Sequence, residues 1–153
     1  PRQYRFQMDR EFPLRREVRA ALIEMLEAAK AEGLDIRVCS AYRPASYQIQ
    51  LYTNAISRSG ANQRYSAPPG HSEHQLGTTV DFASDTRANG GRFLRNTDEE
   101  WHWMRDNAHR FGWVQTYRAE NIHQTGYIEE PWHWRFFGMP GDDPGTDVSW
   151  SLH

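Results

Sequence analysis

The sequence predicts a single α+β domain, in which a small antiparallel sheet is flanked by helices. A chain of 153 residues has the length of one ordinary domain. Segments with helical periodicity and segments with alternating, β-branched residues follow one another along it, without an internal repeat or a domain linker. Hydrophobic residues make up 38% of the chain and charged residues 25%, as in globular proteins with a buried core. We therefore expect one domain over residues 1–153.

Helical periodicity predicts three helices, over residues 13–32, 45–57 and 98–110. In the first, Pro13 suits an N-terminal position and Gly33 ends the helix. In the second, one face carries the apolar residues Ile49, Tyr52 and Ile56. Gly112 ends the third helix.

Alternating and β-branched runs predict four strands, over residues 36–40, 78–83, 113–117 and 132–137. Residues 59–71 are rich in Gly, Ser, Asn and Pro and predict a loop, as do the polar residues 88–96. Part of the first loop, residues 59–69, is placed to form a cleft wall. The tail from Gly138 is expected to be irregular.

Charge and cysteine content exclude several classes of function. The net charge is −2 and there is no basic run, so nothing favours nucleic acid or an anionic membrane as partner. No apolar stretch approaches the ~18 residues that span a bilayer. Cys39 is the only cysteine, which excludes an intrachain disulfide and a cysteine-based metal site. Its apolar strand neighbours indicate a buried small hydrophobic residue and not a nucleophile.

Two histidines and an aspartate indicate a metal site. A catalytic zinc ion takes three protein ligands, and nitrogen and oxygen ligands keep it acidic enough to activate water. His74 and Asp81 lie within one short segment, and His133 lies far downstream. Seven extended residues would separate the first two by roughly 23 Å, so the segment must fold back, and Gly77 is placed for that turn.

The surroundings of Asp81 also favour a bound cation. Val80 and Phe82 flank it, and on a strand their side chains point to the opposite face. A carboxylate isolated among apolar neighbours is costly unless a positive charge compensates it.

The second half of the site lies on the last predicted strand. Alternation there separates two faces, with His133, Arg135 and Phe137 on one and Trp132, Trp134 and Phe136 on the other. Glu130 precedes His133 by three residues, and Pro131 restricts its backbone to an extended or turn shape. Glu130 can thus reach a metal-bound water and not the metal itself, as a general base must.

Three motifs carry a resemblance to a known family. They are Ser40-Ala41-Tyr42-Arg43 with Tyr47-Gln48, then Ser72-x-His74-x-x-Gly77-x-Thr79-x-Asp81, and finally Glu130-x-x-His133. Their order resembles that of the VanY-type D-alanyl-D-alanine carboxypeptidases, which belong to the zinc peptidase group of lysostaphin-like enzymes and the hedgehog domain. The motif-bearing core covers about residues 36–137. The resemblance implies a hedgehog/DD-peptidase-like fold.

The resemblance also implies a role for each matching residue. Zinc (Zn²⁺) would be bound by His74, Asp81 and His133. Glu130 would take a proton from water and pass it to the leaving amine. Arg43 would stabilise the oxyanion or hold the substrate carboxylate, while Ser72 and Gln48 would contact the substrate peptide.

Some residues offer competing interpretations. Glu99 and His102 repeat the Glu-x-x-His spacing, but they lie in a predicted helix as ordinary neighbours one turn apart. Asp85 could compete with Asp81 as a ligand, but it falls outside the motif. The remaining histidines are expected to be surface or hydrogen-bonded residues: His71, His109, His123 and His153.

These observations predict a zinc-dependent D-alanyl-D-alanine carboxypeptidase acting on peptidoglycan stem peptides. L,D-carboxypeptidase and endopeptidase activities remain open, because cleft shape decides among them. A zinc-stabilised binding module without activity is the alternative from another class, although it would not need Glu130. We expect a monomer, and the substrate alone indicates the bacterial cell envelope or periplasm. We interpret the chain, which starts at Pro1, as a mature or trimmed fragment.

Overall fold

The computed structural model of the protein describes residues 13–84, 92–139 and 141. Within these ranges the helices and strands are, in chain order, α1 (Arg16–Ala31), β1 (Ile36–Ser40), α2 (Ala45–Ser59), β2 (Thr79–Ser84), β3 (Arg92–Phe93), α3 (Glu99–Asn107), β4 (Trp113–Gln115), α4 (Ile122–Thr125) and β5 (His133–Phe136). Short 3₁₀ helices lie at Glu73–Leu76, Ala108–Phe111 and Ala119–Asn121.

The strands form one antiparallel sheet with β2 at its centre. The order is β1-β2-β5-β4, and β3 also pairs with β2. On β2, the first three residues pair with β5 and the last two with β3, while β1 runs along the other side. Asp81 therefore lies directly opposite His133 on β5 and opposite Ser40 on β1. This register brings three separate motifs of the sequence to one point of the sheet.

One face of the sheet packs against the helices to form the core. The residues of α1 at helical spacing are buried there: Val18, Ala21, Leu22, Met25 and Ala29. The alternation of the strands supplies the other half: Val80, Phe82, Trp113, Trp134 and Phe136. Because Val80 and Phe82 enter the core, Asp81 between them faces the opposite side.

The predicted fold class is confirmed, and several boundaries differ. The first helix starts at Arg16, three residues after Pro13, because the preceding Arg15 instead bonds to the turn before β2, through its backbone N to O of Gly77 at 3.2 Å. The predicted helix 98–110 is α-helical only to Asn107 and continues as a 3₁₀ helix. The predicted strands 113–117 and 132–137 are shorter at their ends, as β4 and β5.

Two short elements were missed, and the residue that α2 buries is polar. β3 falls inside the predicted loop 88–96, and α4 falls in a segment without a predicted element. On α2, Ile49 is 51% exposed, and the buried residue of that helix is Gln48. Most of the tail after Gly138 lies outside the described residues. Among the described helices, none combines the length and the apolar character that crossing a membrane requires.

Candidate metal centre and active site

Three elements bring His74, Asp81 and His133 together. His74 lies in the 3₁₀ helix Glu73–Leu76, Asp81 in β2 and His133 in β5, and all three are buried. One ligand atom from each can be chosen so that the three lie within 4.8 Å of one another. Gly77 makes the turn between the first two, with φ of 71° in the left-handed region, as the sequence predicted. Across the described residues, this is the one cluster of its kind.

The geometry of the cluster fits zinc. Oδ1 of Asp81 lies 3.2 Å from Nε2 of His74 and 3.1 Å from Nδ1 of His133. A tetrahedral ion about 2.0–2.2 Å from each ligand keeps the ligand atoms roughly 3.3 Å apart. Two imidazole nitrogens and one carboxylate oxygen are also a donor set that zinc accepts in catalytic sites.

The other candidate ligands do not join the cluster. His102 is exposed on α3, where its ring contacts that of Trp101 at 5.1 Å. His71, His109 and His123 are exposed as well. Asp85 and His153 lie outside the described residues.

His74 is oriented by the backbone of the first motif. Its Nδ1 lies 2.6 Å from the carbonyl oxygen of Ala41, so Nε2 is the nitrogen turned towards Asp81. The carbonyl oxygen of His74 accepts a hydrogen bond from the backbone N–H of Arg43 at 3.0 Å. These two bonds fix the relative position of the first two motifs.

Glu73 is a residue of the site that the sequence analysis missed. Its Oε2 lies 2.9 Å from Nε2 of His133, and its Oε1 accepts a hydrogen bond from Nη1 of Arg135 at 2.8 Å. Burial alone would raise its pKa, but the hydrogen bonds from His133, Arg135 and Thr116 lower the pKa to about 2. The only signal in the sequence was an acidic residue next to His74, and its partners are 43 to 62 positions away.

Charges at the cluster are strongly coupled. Burial opposes ionisation of Asp81, but His74 and His133 hold the pKa of that carboxyl well below its usual range. Burial likewise favours neutral His133, yet the hydrogen bonds to Asp81 and Glu73 raise its pKa to about 10. In the metal-free cluster His133 is therefore protonated, and a metal ion that binds there would displace that proton.

Glu130 lies beside the cluster, outside the set of ligands. Its Oε2 is 3.6 Å from Nδ1 of His133, and its side chain is 13% exposed. Its backbone N–H donates to the carbonyl oxygen of Tyr117 at 3.0 Å, and its own carbonyl oxygen accepts from the N–H of His133 at 3.1 Å. Burial is the main reason that its pKa is raised, to about 7. Such a carboxyl can both accept and donate a proton near neutral pH.

Arg43 also lies close to the cluster. Its Nη2 lies 3.7 Å from Oδ2 of Asp81, and its Nη1 donates to Oε1 of Gln48 at 3.1 Å. Gln48 is buried, and its Nε2 donates to the hydroxyl of Ser66 at 3.1 Å and to the carbonyl oxygen of Ala67 at 2.7 Å. Both amide hydrogens of Gln48 are thus bonded within the protein.

A cavity of about 260 Å³ opens onto these residues. Its lining includes Arg43, Gln48, Ser72, Glu130 and the three clustered residues, together with aromatic side chains: Tyr65, Phe93, Tyr117, Tyr127 and Trp132. Three residues of the loop 59–69 also line it, which confirms that the loop forms part of the cleft wall: Tyr65, Ser66 and Ala67. A small cleft that combines charged and polar groups with an aromatic lining suits a short peptide end.

The sheet and the buried donor set together have the features of a zinc peptidase domain. The sequence profile of the VanY family, described as D-alanyl-D-alanine carboxypeptidase, matches residues 11–139. The chain belongs to this family.

Comparison with individual proteins gives consistent results. The D-alanyl-D-alanine carboxypeptidase of Enterococcus faecalis is 33% identical over 130 residues, which are 77% of this chain and 46% of that protein. The chain thus spans about half the length of that curated relative. The LdcB LD-carboxypeptidase structure superposes with a TM-score of 0.77 at 33% identity, covering 87% of this chain and 64% of the other. The structure of a mutant of the D,D-pentapeptidase VanY in complex with Zn(II) superposes with a TM-score of 0.71 at 27% identity, covering 91% of this chain and 83% of the other.

Proposed function

We propose that this protein is a zinc-dependent D-alanyl-D-alanine carboxypeptidase that hydrolyses the terminal peptide bond of peptidoglycan stem peptides. The observation that carries the proposal is the position of Glu130, whose carboxylate lies 3.6 Å from His133 at a cavity floored by the His74–Asp81–His133 cluster. Membership of the VanY family supports the substrate class, and the zinc-bound VanY structure supports the metal.

Zinc would be held by Nε2 of His74, Oδ1 of Asp81 and Nδ1 of His133. When bound, it supplies a Lewis acid that polarises the scissile carbonyl and acidifies water. The two bonds that orient His74 and the buried position of all three side chains prearrange the donors.

Glu130 performs the proton transfers. It accepts a proton from the water that attacks the scissile carbonyl carbon, and it returns this proton to the nitrogen of the leaving amine as the C–N bond breaks. The products are a shortened stem peptide with a new carboxylate, and free D-alanine. A pKa of about 7 suits a group that must act as base and then as acid.

Arg43 supplies positive charge at the wall of the cavity. Its side chain is 18% exposed. The fixed fork of donors of its guanidinium suits the oxyanion of the tetrahedral intermediate or the terminal carboxylate of the substrate. Ser72 lies in the same wall as a further contact for the peptide.

An L,D-carboxypeptidase is the second candidate. The observation in its favour is the likeness to the LdcB LD-carboxypeptidase, with a TM-score of 0.77 over 87% of this chain. The same groups would serve that reaction, since it differs in the configuration of the residue that precedes the scissile bond. Either substrate implies action in the bacterial cell envelope.

The experiment that tests both candidates compares a pentapeptide stem ending in D-Ala-D-Ala with the tetrapeptide stem, using mass spectrometry and metal analysis of the same sample. We expect one zinc per chain and release of one D-alanine from the pentapeptide. Cleavage of the tetrapeptide alone would instead establish the L,D activity.

Two variants assign the mechanism. Glu130→Ala should be inactive while retaining one zinc. Glu129→Ala is the matched control, because its carboxylate bonds Nδ2 of Asn96 at 3.2 Å, and it should remain active. A wild-type protein that binds zinc but cleaves neither peptide would overturn both candidates in favour of a binding module.

A further inference from the structure

We propose that Glu73 is a positioning residue, which fixes the ring of His133 so that Nδ1, and not Nε2, faces the metal. The inference rests on the proposed function, because it assigns a role within the proposed zinc site. It concerns a residue that is neither a ligand nor a reacting group.

The two ring nitrogens of His133 lie in different surroundings. Nε2 is 2.9 Å from Oε2 of Glu73, whereas Nδ1 is 3.1 Å from Oδ1 of Asp81, on the side of the cluster. Each ring nitrogen thus faces a carboxylate oxygen, which accepts a hydrogen bond. A cation bound at the cluster would take the place of the hydrogen at Nδ1, while the hydrogen at Nε2 stays directed at Glu73. The lone pair of Nδ1 is then available to the cation.

Glu73 is itself held by two further groups. Nη1 of Arg135 donates to Oε1 at 2.8 Å, and the hydroxyl of Thr116 donates to Oε2 at 2.8 Å. The side chain of Glu73 is only 14% exposed, so water does not compete freely for these bonds. Charge-assisted bonds of this length are among the strong ones.

Strand β5 supplies both ends of this arrangement. Arg135 lies two residues after His133, on the same face of the strand. The strand therefore carries the metal ligand together with the cation that balances Glu73. A rotation of the His133 ring would have to break the bond to Glu73, while Arg135 and Thr116 keep the carboxylate in place.

A purely structural ion pair is the simpler explanation. The bond between Glu73 and Arg135 alone would hold the 3₁₀ helix Glu73–Leu76 to the sheet. It does not account for the position of Oε2, which lies 2.9 Å from Nε2 of His133 and accepts a hydrogen bond from the hydroxyl of Thr116. A structural role predicts lower stability of the metal-free protein, whereas a positioning role predicts weaker zinc binding in a folded protein.

The test is the zinc dissociation constant, measured by competition with a chromophoric chelator on folded protein. Glu73→Ala should weaken zinc binding roughly 10- to 100-fold, the usual effect of losing a group that orients a metal ligand. Glu73→Gln should weaken it less, because an amide oxygen still accepts from Nε2–H. Glu129→Ala removes the same charge elsewhere and should leave the constant unchanged.

A second measurement does not depend on a variant folding. Long-range ¹H–¹⁵N spectra of the zinc-loaded wild type should show His133 protonated at Nε2 and bound to metal through Nδ1. Metal at Nε2, or unchanged affinity in both Glu73 variants, would overturn the inference and leave the proposed function intact. A wild type that binds no zinc would overturn both.

Discussion

Nη1 of Arg43 donates a 3.1 Å hydrogen bond to Oε1 of Gln48, whose side chain is buried. The same amide bonds Ser66 and Ala67, in the loop that forms the cleft wall. The side chain of Gln48 thus positions both the guanidinium of Arg43 and the part of the cleft wall that contains Ser66 and Ala67.

Replacement of Gln48 should impair catalysis without loss of metal. In Gln48→Leu, which is nearly isosteric, all three hydrogen bonds are lost, and we expect kcat/KM to fall roughly 10- to 100-fold, as for the loss of 1–3 kcal/mol. Steady-state kinetics and metal analysis check this. Gln50→Leu, on the exposed side of the same helix, is the control. Loss of zinc in Gln48→Leu would show instead that the amide supports the metal cluster.

Glu130 should reduce the stability of the metal-free protein at neutral pH. Its pKa is about 7 in the fold against an ordinary 4.5, so the fold favours the neutral form. The wild type therefore loses stability as pH rises from about 4.5 to about 7, because the unfolded chain ionises first. Glu130→Gln lacks this loss and should be more stable at pH 8, by an amount on the order of 3 kcal/mol.

Urea unfolding in the presence of a chelator measures this difference. The gain should vanish at about pH 3, where Glu130 is protonated in both the folded and the unfolded state. Glu129→Gln controls for the removal of one carboxylate. An equal gain for Glu130→Gln at both pH values would contradict the prediction, since it would point to packing and not to ionisation.

Cys39 should be unreactive in the folded protein. Burial and the nearby Asp81 carboxylate raise the pKa of its thiol well above its usual range. Its Sγ also donates to the carbonyl oxygen of Asp81 at 3.2 Å. Alkylation by iodoacetamide at pH 8 should be on the order of a hundredfold slower than in denaturant, because the thiolate is the nucleophile. Mass spectrometry of samples taken over time measures the alkylation rate. Rapid alkylation of Cys39 in the folded protein would contradict the prediction.

Gly112 should be far less tolerant of substitution than Gly126. Both have left-handed backbones, with φ of 80° and 78°. A Cβ at Gly112 would lie 2.7 Å from the ring of Phe136 and even closer to the carbonyl oxygen of Gly138, whereas one at Gly126 would meet nothing within 4 Å. Gly126→Ala should cost about 1–2 kcal/mol from the backbone alone, and Gly112→Ala about 3–5 kcal/mol. Denaturant midpoints decide; equal losses would mean that the neighbours of Gly112 shift without cost.

The sequence was informative where short motifs carry the chemistry. His74, Asp81, Glu130 and His133 could be singled out because their residue types and spacing suit one reaction, and the structure brings these four together. The sequence could not show Glu73 as a member of the site. Its importance depends on partners that only the register of β5 and the end of β4 bring near it.

Apolar periodicity is a poor guide to burial on α2. Ile49 shares an apolar face of α2 with Tyr52 and Ile56, yet it is 51% exposed, and the helix buries Gln48 instead. Apolar periodicity predicts burial only where the helix packs against an apolar surface. Here α2 borders the polar cleft of the candidate site. β3 and α4, of two and four residues, are too short to produce a periodic signal.

The pairing of β2 with β5 has a consequence for the order of folding. Asp81 and His133 are 52 positions apart, so the chain must close a long loop before both can touch one cation. A metal ion bound by residues of both strands would therefore stabilise the native state, in which β2 and β5 are already paired. It would not act as a folding nucleus. Zinc should leave the refolding rate nearly unchanged and slow unfolding, which stopped-flow tryptophan fluorescence would show as a shift of the unfolding limb alone. In this protein the ion would bind after β2 and β5 have paired, and it would stabilise the folded sheet.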